Sequence, residues 1–242
     1  MSTILEISGL VKRFGGLTAV NGVSFGIDEG QVVGLLGPNG SGKTTVLNMI
    51  SGNLRPSAGK INLLGAEIGG LAPHRVARTG VARTFQLVRI LPSLTVEENV
   101  TCALAFGAEP LHGAKAGEVA EEILVAVGLG GRGSEQPEQL TYIDQKRIEI
   151  ARAIAARPKL LLLDEWLAGL NPTELRTGIE LIAKLRTSGI SILLVEHVME
   201  AVRALCSRCI VMSAGDKIAE GETSTVLQDP EVVRAYLGNS HA

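Results

Sequence analysis

The residues best equipped for chemistry are Gly37-Pro38-Asn39-Gly40-Ser41-Gly42-Lys43-Thr44-Thr45, which fit the phosphate-binding pattern G-x-x-x-x-G-K-[ST]. Each residue type has a mechanical reason. Glycine lets the backbone wrap closely around an anion, so that successive N–H groups from Asn39 to Thr45 point at a phosphate. A helix beginning at Lys43 adds the partial positive charge of its N-terminus. Lys43 can then reach the β- and γ-phosphates, and the Thr44 hydroxyl can ligate Mg²⁺. Asp164 and Glu165 form a second constellation, at the C-terminal end of the apolar run Leu160-Leu161-Leu162-Leu163. Strand ends beside a phosphate loop are where ligands sit in α/β sheets. Asp164 is read as holding Mg²⁺ through a water, and Glu165 as the general base on an attacking water. Neighbouring side chains of a strand face opposite ways, so two roles at one site require the backbone to turn at Glu165.

The surrounding pattern supplies elements to hold these groups. Residues 31–36 read as a buried strand, and residues 43–51 as a helix that Gly52 ends. Alternation over 4–7 and 19–27 predicts half-buried strands, with a turn at 12–16 between them. Further strands are expected at 60–64 and 81–85, with a short helix at 73–78. From about 92 to 156 the pattern turns helical: a capping box at Thr95 and Glu98 starts one helix, residues 106–117 read as a loop, and helices follow over 119–127 and 143–156. The strand 160–164, a helix from Pro172 capped by Asn171, the strand 191–195, a helix over 198–205 and a hairpin turned at Gly215 complete the pattern.

Composition narrows the classes. The chain has 242 residues, enough for one large α/β domain, and its net charge of −2 gives no reason to expect a nucleic-acid binder. No apolar run approaches the ~18 residues that cross a bilayer. The sequence opens on strand-like residues, read as lacking a secretion signal, and its three cysteines fit a reducing compartment. Cys206 and Cys209 stand two apart without the further ligands a zinc site needs, and read as small buried hydrophobes.

With the phosphate loop, Gln86, the stretch Leu140-Thr141-Tyr142-Ile143-Asp144-Gln145, Asp164-Glu165 and His197 in this order, the chain resembles the nucleotide-binding subunits of ABC transporters from about residue 4 to 238. The resemblance implies an α/β fold: a P-loop NTPase core of the ABC ATPase type with an antiparallel β subdomain and an inserted helical subdomain. The whole of 1–242 is then one ABC ATPase domain, with residues 1–91 and 157–242 as core and β subdomain and about 92–156 as the helical subdomain. It also implies ATP and Mg²⁺ as ligands. Phe14 looks like the aromatic that stacks on adenine, with Val20 beneath ring and ribose. Gln86 looks like the residue that senses Mg²⁺ and water and relays to the membrane subunit, and His197 like the switch histidine on the γ-phosphate. Thr141, Tyr142 and Ile143 lie in the signature, which in this family binds ATP held by a partner subunit.

Phe14-Gly15-Gly16-Leu17-Thr18-Ala19-Val20, Ala82-Arg83-Thr84-Phe85-Gln86, Ala168-Gly169-Leu170-Asn171-Pro172 and Ala235-Tyr236-Leu237-Gly238 resemble one ATPase subunit of branched-chain amino acid importers. That likeness implies a second ABC ATPase subunit (a homo- or heterodimer), integral membrane permeases, a periplasmic binding protein and a peripheral place on the cytoplasmic face of the inner membrane. Urea or amide importers, a lipopolysaccharide exporter, and soluble ABC ATPases of DNA repair or translation carry related cassettes. Ile143 stands where the signature has a second glycine, and its branched side chain is expected to crowd the partner's nucleotide. Thr141 replaces serine, Trp166 replaces a proline, and Asn171 stands where aspartate is common.

Overall fold

The computed structural model describes residues 2–85, 88–107 and 109–237. The chain opens with two long strands, β1 (Thr3–Phe14) and β2 (Leu17–Asp28). They are followed by β3 (Val32–Leu36), α1 (Lys43–Ile50), β4 (Ala58–Leu63), β5 (Ala66–Glu67), α2 (Pro73–Arg78) and β6 (Val81–Arg83). Then come α3 (Val96–Phe106), α4 (Gly113–Ala126) and α5 (Tyr142–Ala155). The chain continues through β7 (Leu160–Asp164), α6 (Pro172–Thr187), β8 (Ser191–Val195) and α7 (Met199–Leu205). It closes with β9 (Arg208–Ser213), β10 (Asp216–Glu222), α8 (Thr223–Val226) and α9 (Pro230–Leu237).

Two sheets result. One is antiparallel in the order β2-β1-β4-β5; the other runs β10-β9-β3-β8-β7-β6. The second is parallel except for β10, which turns back against β9. Every residue of β3, β7 and β8 is buried, as strands covered on both faces must be, and this explains their unbroken apolar sequence. Alternation divides each strand between two cores. Leu160 and Leu162 face one side with Val33, Leu35 and the antiparallel sheet; Leu161 and Leu163 face the other with α6, α7 and the α3–α5 block.

Local signals account for most boundaries. Thr95 Oγ1 accepts from the Glu98 amide and Glu98 returns the bond to the Thr95 amide, starting α3 as the sequence predicts. The structure corrects three boundaries. Residues 12–14 continue β1, because Lys12, Arg13 and Phe14 pair with β2, and only Gly15 and Gly16 form the turn. Helix α4 begins at Gly113 instead of residue 119, since Ala116, Ala120 and Leu124 recur on one buried face. Gly117 is tolerated there because a Cβ on it would lie 3.1 Å from the Glu97 carboxylate, where its lack of a side chain allows a close approach. Strand β6 ends at Arg83, because the Phe85 amide donates to Glu149 Oε1 (2.9 Å) on α5 instead of to a neighbouring strand.

Candidate functional site

The loop between β3 and α1 is shaped by two glycines. Gly37 has φ 140°, and a Cβ on it would lie 2.1 Å from the Met212 carbonyl; at Gly42, φ is 105° and the Ala19 carbonyl would lie at 2.5 Å. No L side chain fits either position. Gly42 also precedes α1 without any side-chain cap, so the helix starts with amides available to an anion. A cavity of 180 Å³ opens there, lined by Ala19, Asn39, Gly40, Ser41, Gly42, Lys43, Thr44, Thr45 and Glu165. Ser41 Oγ is buried without a hydrogen-bond partner among the described residues. Lys43 is nearly buried and donates to the Gly37 (2.7 Å) and Pro38 (2.9 Å) carbonyls. Burial lowers its pKa, and the nearby charges of Glu165 and Asp164 oppose that shift.

Asp164 closes β7 and is buried; Arg83 donates to its Oδ2 at 2.8 Å. The chain turns sharply at the next residue. Glu165 has φ 51°, in the left-handed region, while its amide still donates to the Val195 carbonyl (2.8 Å). The turn brings the Glu165 carboxylate to the phosphate-loop cavity, as two roles at one strand end require. His197 Nε2 lies 2.9 Å from Glu165 Oε1, so the sequence-distant pair forms one unit.

Three buried side chains fix this unit from behind. Trp166 is fully buried; its Nε1–H donates to the Lys146 carbonyl (3.1 Å), while Lys146 Nζ donates to the Trp166 carbonyl (2.8 Å). The residue following Glu165 is thereby joined to α5 by two reciprocal bonds. Room for the indole comes from Gly178 on α6, where a Cβ would lie 3.2 Å from the ring. Glu196 is completely buried and accepts from the Leu167 (2.6 Å) and His197 (3.3 Å) amides. Burial pushes its pKa up to about 7, with the repulsion of Glu165 added; the two amides and Lys146 pull it down. The folded state therefore holds this proton more tightly than the unfolded chain, where the group titrates near 4.5. Its stabilising contribution is complete below pH 4.5 and is lost as pH rises through about 7. Melting temperature is expected to fall less over that range in Glu196→Gln than in the wild type, and parallel curves would contradict the assignment.

The other sequence candidates fall as follows. Phe14 is half-exposed at the β1–β2 turn, with Lys12 Nζ 5.1 Å from its ring, and it keeps a face open to solvent. Val20 corrects an expectation. It is fully buried behind Gly42 and offers no surface to a ring or ribose; it supports the loop from the core. Thr141 caps α5, its Oγ1 accepting from the Asp144 amide at 3.4 Å, and Tyr142 is exposed. Ile143 also corrects an expectation. Its side chain is buried in the core formed with α3–α5, so it turns inward instead of crowding a facing nucleotide. Ile143→Gly is accordingly expected to destabilise the fold by about 2–5 kcal/mol, as removal of a buried aliphatic does, read as a loss in chemical denaturation. Asn171 caps α6, accepting from the Thr173 and Glu174 amides (both 3.0 Å). Gln86 lies outside the described residues.

Sequence reasoning missed Arg83, Lys146, Glu149 and Glu196. Glu149 holds the Phe85 amide, next to Gln86, and burial raises its pKa. Only their burial marks these residues, and a charged residue on a helix or strand end carries no such signal in sequence. Cys206 and Cys209 are buried thiols, and no group of three or more His, Cys, Asp or Glu side chains able to hold a metal occurs among the described residues.

The comparisons with known proteins agree with this geometry. The sequence pattern of the ABC transporter family matches residues 20–168. Over 251 aligned positions the chain is 42% identical to the high-affinity branched-chain amino acid transport ATP-binding protein BraF of Pseudomonas aeruginosa, covering 98% of each. It is 39% identical, with the same coverage, to LivG, the corresponding protein of Escherichia coli K12. Among solved structures, the ADP conformation of MJ1267, an ATP-binding cassette of an ABC transporter, superposes with a TM-score of 0.91 at 31% identity, covering 98% of this chain and 100% of that one. A dimeric post-hydrolysis state of the cassette MJ0796 bound to ADP and Pi gives 0.80 at 26% identity, covering 90% and 98%. With the phosphate loop, the strand-end carboxylates and the two-sheet core in place, the chain belongs to the ABC transporter family and is one of its ATP-binding, ATP-hydrolysing cassettes.

Proposed function

We propose that this cassette powers import of an amino acid of the branched-chain class, working with a second cassette against integral membrane permeases fed by a periplasmic binding protein. The observation that carries the catalytic part is the convergence of the phosphate loop and Glu165 on one cavity, with Glu165 in turn hydrogen-bonded to His197. The substrate class rests on near full-length likeness to BraF and LivG. In this reading residues 1–91 and 157–242 form the core with its β subdomain, and about 92–156 the helical subdomain. No helix among the described residues is long and apolar enough to cross a membrane, consistent with peripheral attachment at the cytoplasmic face. A cleft of 390 Å³ between α2 and α5, lined by Val76, Phe85, Glu149 and Arg152, is assigned to the permease contact.

The donor set fits Mg²⁺: the Thr44 hydroxyl and the Asp164 carboxylate line one cavity of 430 Å³ and offer the hard oxygens this ion takes. When bound, the ion supplies charge neutralisation to the phosphates. The chain does the rest. Amides of residues 39–45 and Lys43 hold the β- and γ-phosphates; Glu165 takes a proton from water at its carboxylate; His197 keeps that carboxylate in place. Phe14 presents an aromatic face to adenine, and Thr141 and Tyr142 face a partner's nucleotide.

Uptake of labelled leucine into vesicles carrying the assembled transporter tests this reading. ATP-dependent leucine uptake, competed by isoleucine and valine, is expected. Uptake of urea or an amide in place of leucine, or movement of lipid-linked saccharide outward, would assign the cassette to another transporter.

A further inference from the structure

Arg83 is one charged residue of the site for which neither the phosphate loop nor the hydrolytic pair provides a use. It ends β6, its side chain is 6% exposed, and its guanidinium is held on two sides. One amino group donates to Asp164 Oδ2 at 2.8 Å; the other donates to Asn48 Oδ1 (2.7 Å) and Ser51 Oγ (3.1 Å) at the end of α1. Its Nε is buried without a partner among the described residues. Arg83, Asp164, Thr44 and Asn48 line the same cavity.

Such an arrangement is more than a strand-to-strand tie. Asn48 and Ser51 set the guanidinium at a fixed place, so that Asp164 meets a cation held by α1, the helix that also starts at the phosphate loop. A triphosphate, Asp164 and Glu165 together concentrate negative charge in a partly dry site, where a fixed positive group acts strongly. We propose that Arg83 is a positioning residue for Asp164: it occupies one carboxylate oxygen, leaves the other for the metal, and, by offsetting one negative charge, sets how strongly nucleotide binding depends on Mg²⁺. The inference rests on the reading of Asp164 as a metal-bearing carboxylate.

The direction follows from charge. Without Arg83 the site is more negative, so it repels metal-free ATP and attracts Mg²⁺ more strongly. The test is equilibrium binding of a fluorescent ATP analogue to the full chain, titrated once in EDTA and once across Mg²⁺ concentrations. In Arg83→Met the ratio of metal-free to metal-loaded Kd is expected to rise about tenfold, the scale of one unit charge several ångströms away at intermediate dielectric. The Mg²⁺ concentration giving half-maximal binding should fall in parallel. Arg83→Lys keeps the charge and should return the ratio most of the way to the wild-type value.

An unchanged ratio in a normally folded Arg83→Met overturns the proposal and leaves Arg83 a structural tie between β6 and β7. Should that variant fail to fold, Asn48→Ala carries the test. It removes one strut of the guanidinium, and the ratio should move in the same direction by roughly two- to threefold, part of the tenfold charge effect; no movement overturns the proposal equally. Asp164→Asn, run alongside, separates this from the reading beneath it. Wild-type binding insensitive to both Mg²⁺ and Asp164→Asn refutes the metal assignment itself, whereas a metal-sensitive wild type with an Arg83-insensitive ratio refutes only the role of Arg83.

Discussion

Replacing Glu165 by glutamine is expected to slow ATP hydrolysis in the assembled transporter by about 10²–10⁴-fold, the usual contribution of a positioned general base. The residue keeps its size, so the left-handed turn at position 165 and the bond from its amide to Val195 survive. Glutamine can still reach His197, but its amide cannot take a proton from water. The Lys43 and Ser41 side of the cavity is untouched, so ATP affinity should stay within about twofold of wild type, little more than 0.4 kcal/mol. Bound, unhydrolysed ATP should then accumulate and hold paired cassettes closed. The measurements are phosphate release and nucleotide binding on the same preparation. Turnover near the wild-type rate would mean that another group takes the proton.

Lys43→Ala should act on the other half of the cycle. Lys43 lines the 180 Å³ cavity and is the loop's own side-chain cation, donating to the Gly37 and Pro38 carbonyls. A charge-assisted contact to phosphate contributes about 1.5–3 kcal/mol, so contacts to two phosphates correspond to roughly a hundredfold or more in Kd. The variant also loses the two carbonyl bonds that tie the loop to itself. Lys43→Met, which keeps the stem but not the charge, separates the effects: a comparable loss of affinity identifies the charge as the cause. Unchanged affinity in both variants would remove the phosphate loop from the binding site.

Much of this site was legible because short-range chemistry dictates it. The glycine spacing of residues 37–42, the capping at Thr95 and Asn171, and the apolar runs of β7 and β8 each specify a local conformation that no distant residue needs to supply. The turn at Glu165 followed from the alternation of a strand and from the need for two carboxylates in one place. What sequence did not disclose depends on contacts across the fold. Trp166 looked like a departure at the catalytic loop, yet its meaning lies in Lys146, twenty positions earlier, and in the space left by Gly178. Ile143 looked like an intrusion into a nucleotide site because its motif neighbours set the expectation; its rotation toward the helical core is decided by α3–α5 packing. Val20 was assigned to a ligand for the same reason, and the core behind Gly42 claims it.

ATP and its metal are expected to share one address in this cassette, and anomalous diffraction from a bound Mn²⁺–ATP analogue locates both at once. Manganese takes the same hard oxygen donors as magnesium and can be identified by its anomalous signal. The expected result is a manganese peak between the Thr44 hydroxyl and the Asp164 carboxylate, with the triphosphate against the amides of residues 39–45 and the terminal phosphate toward Glu165. Manganese or phosphate density anywhere else, with this cavity unfilled, would contradict it.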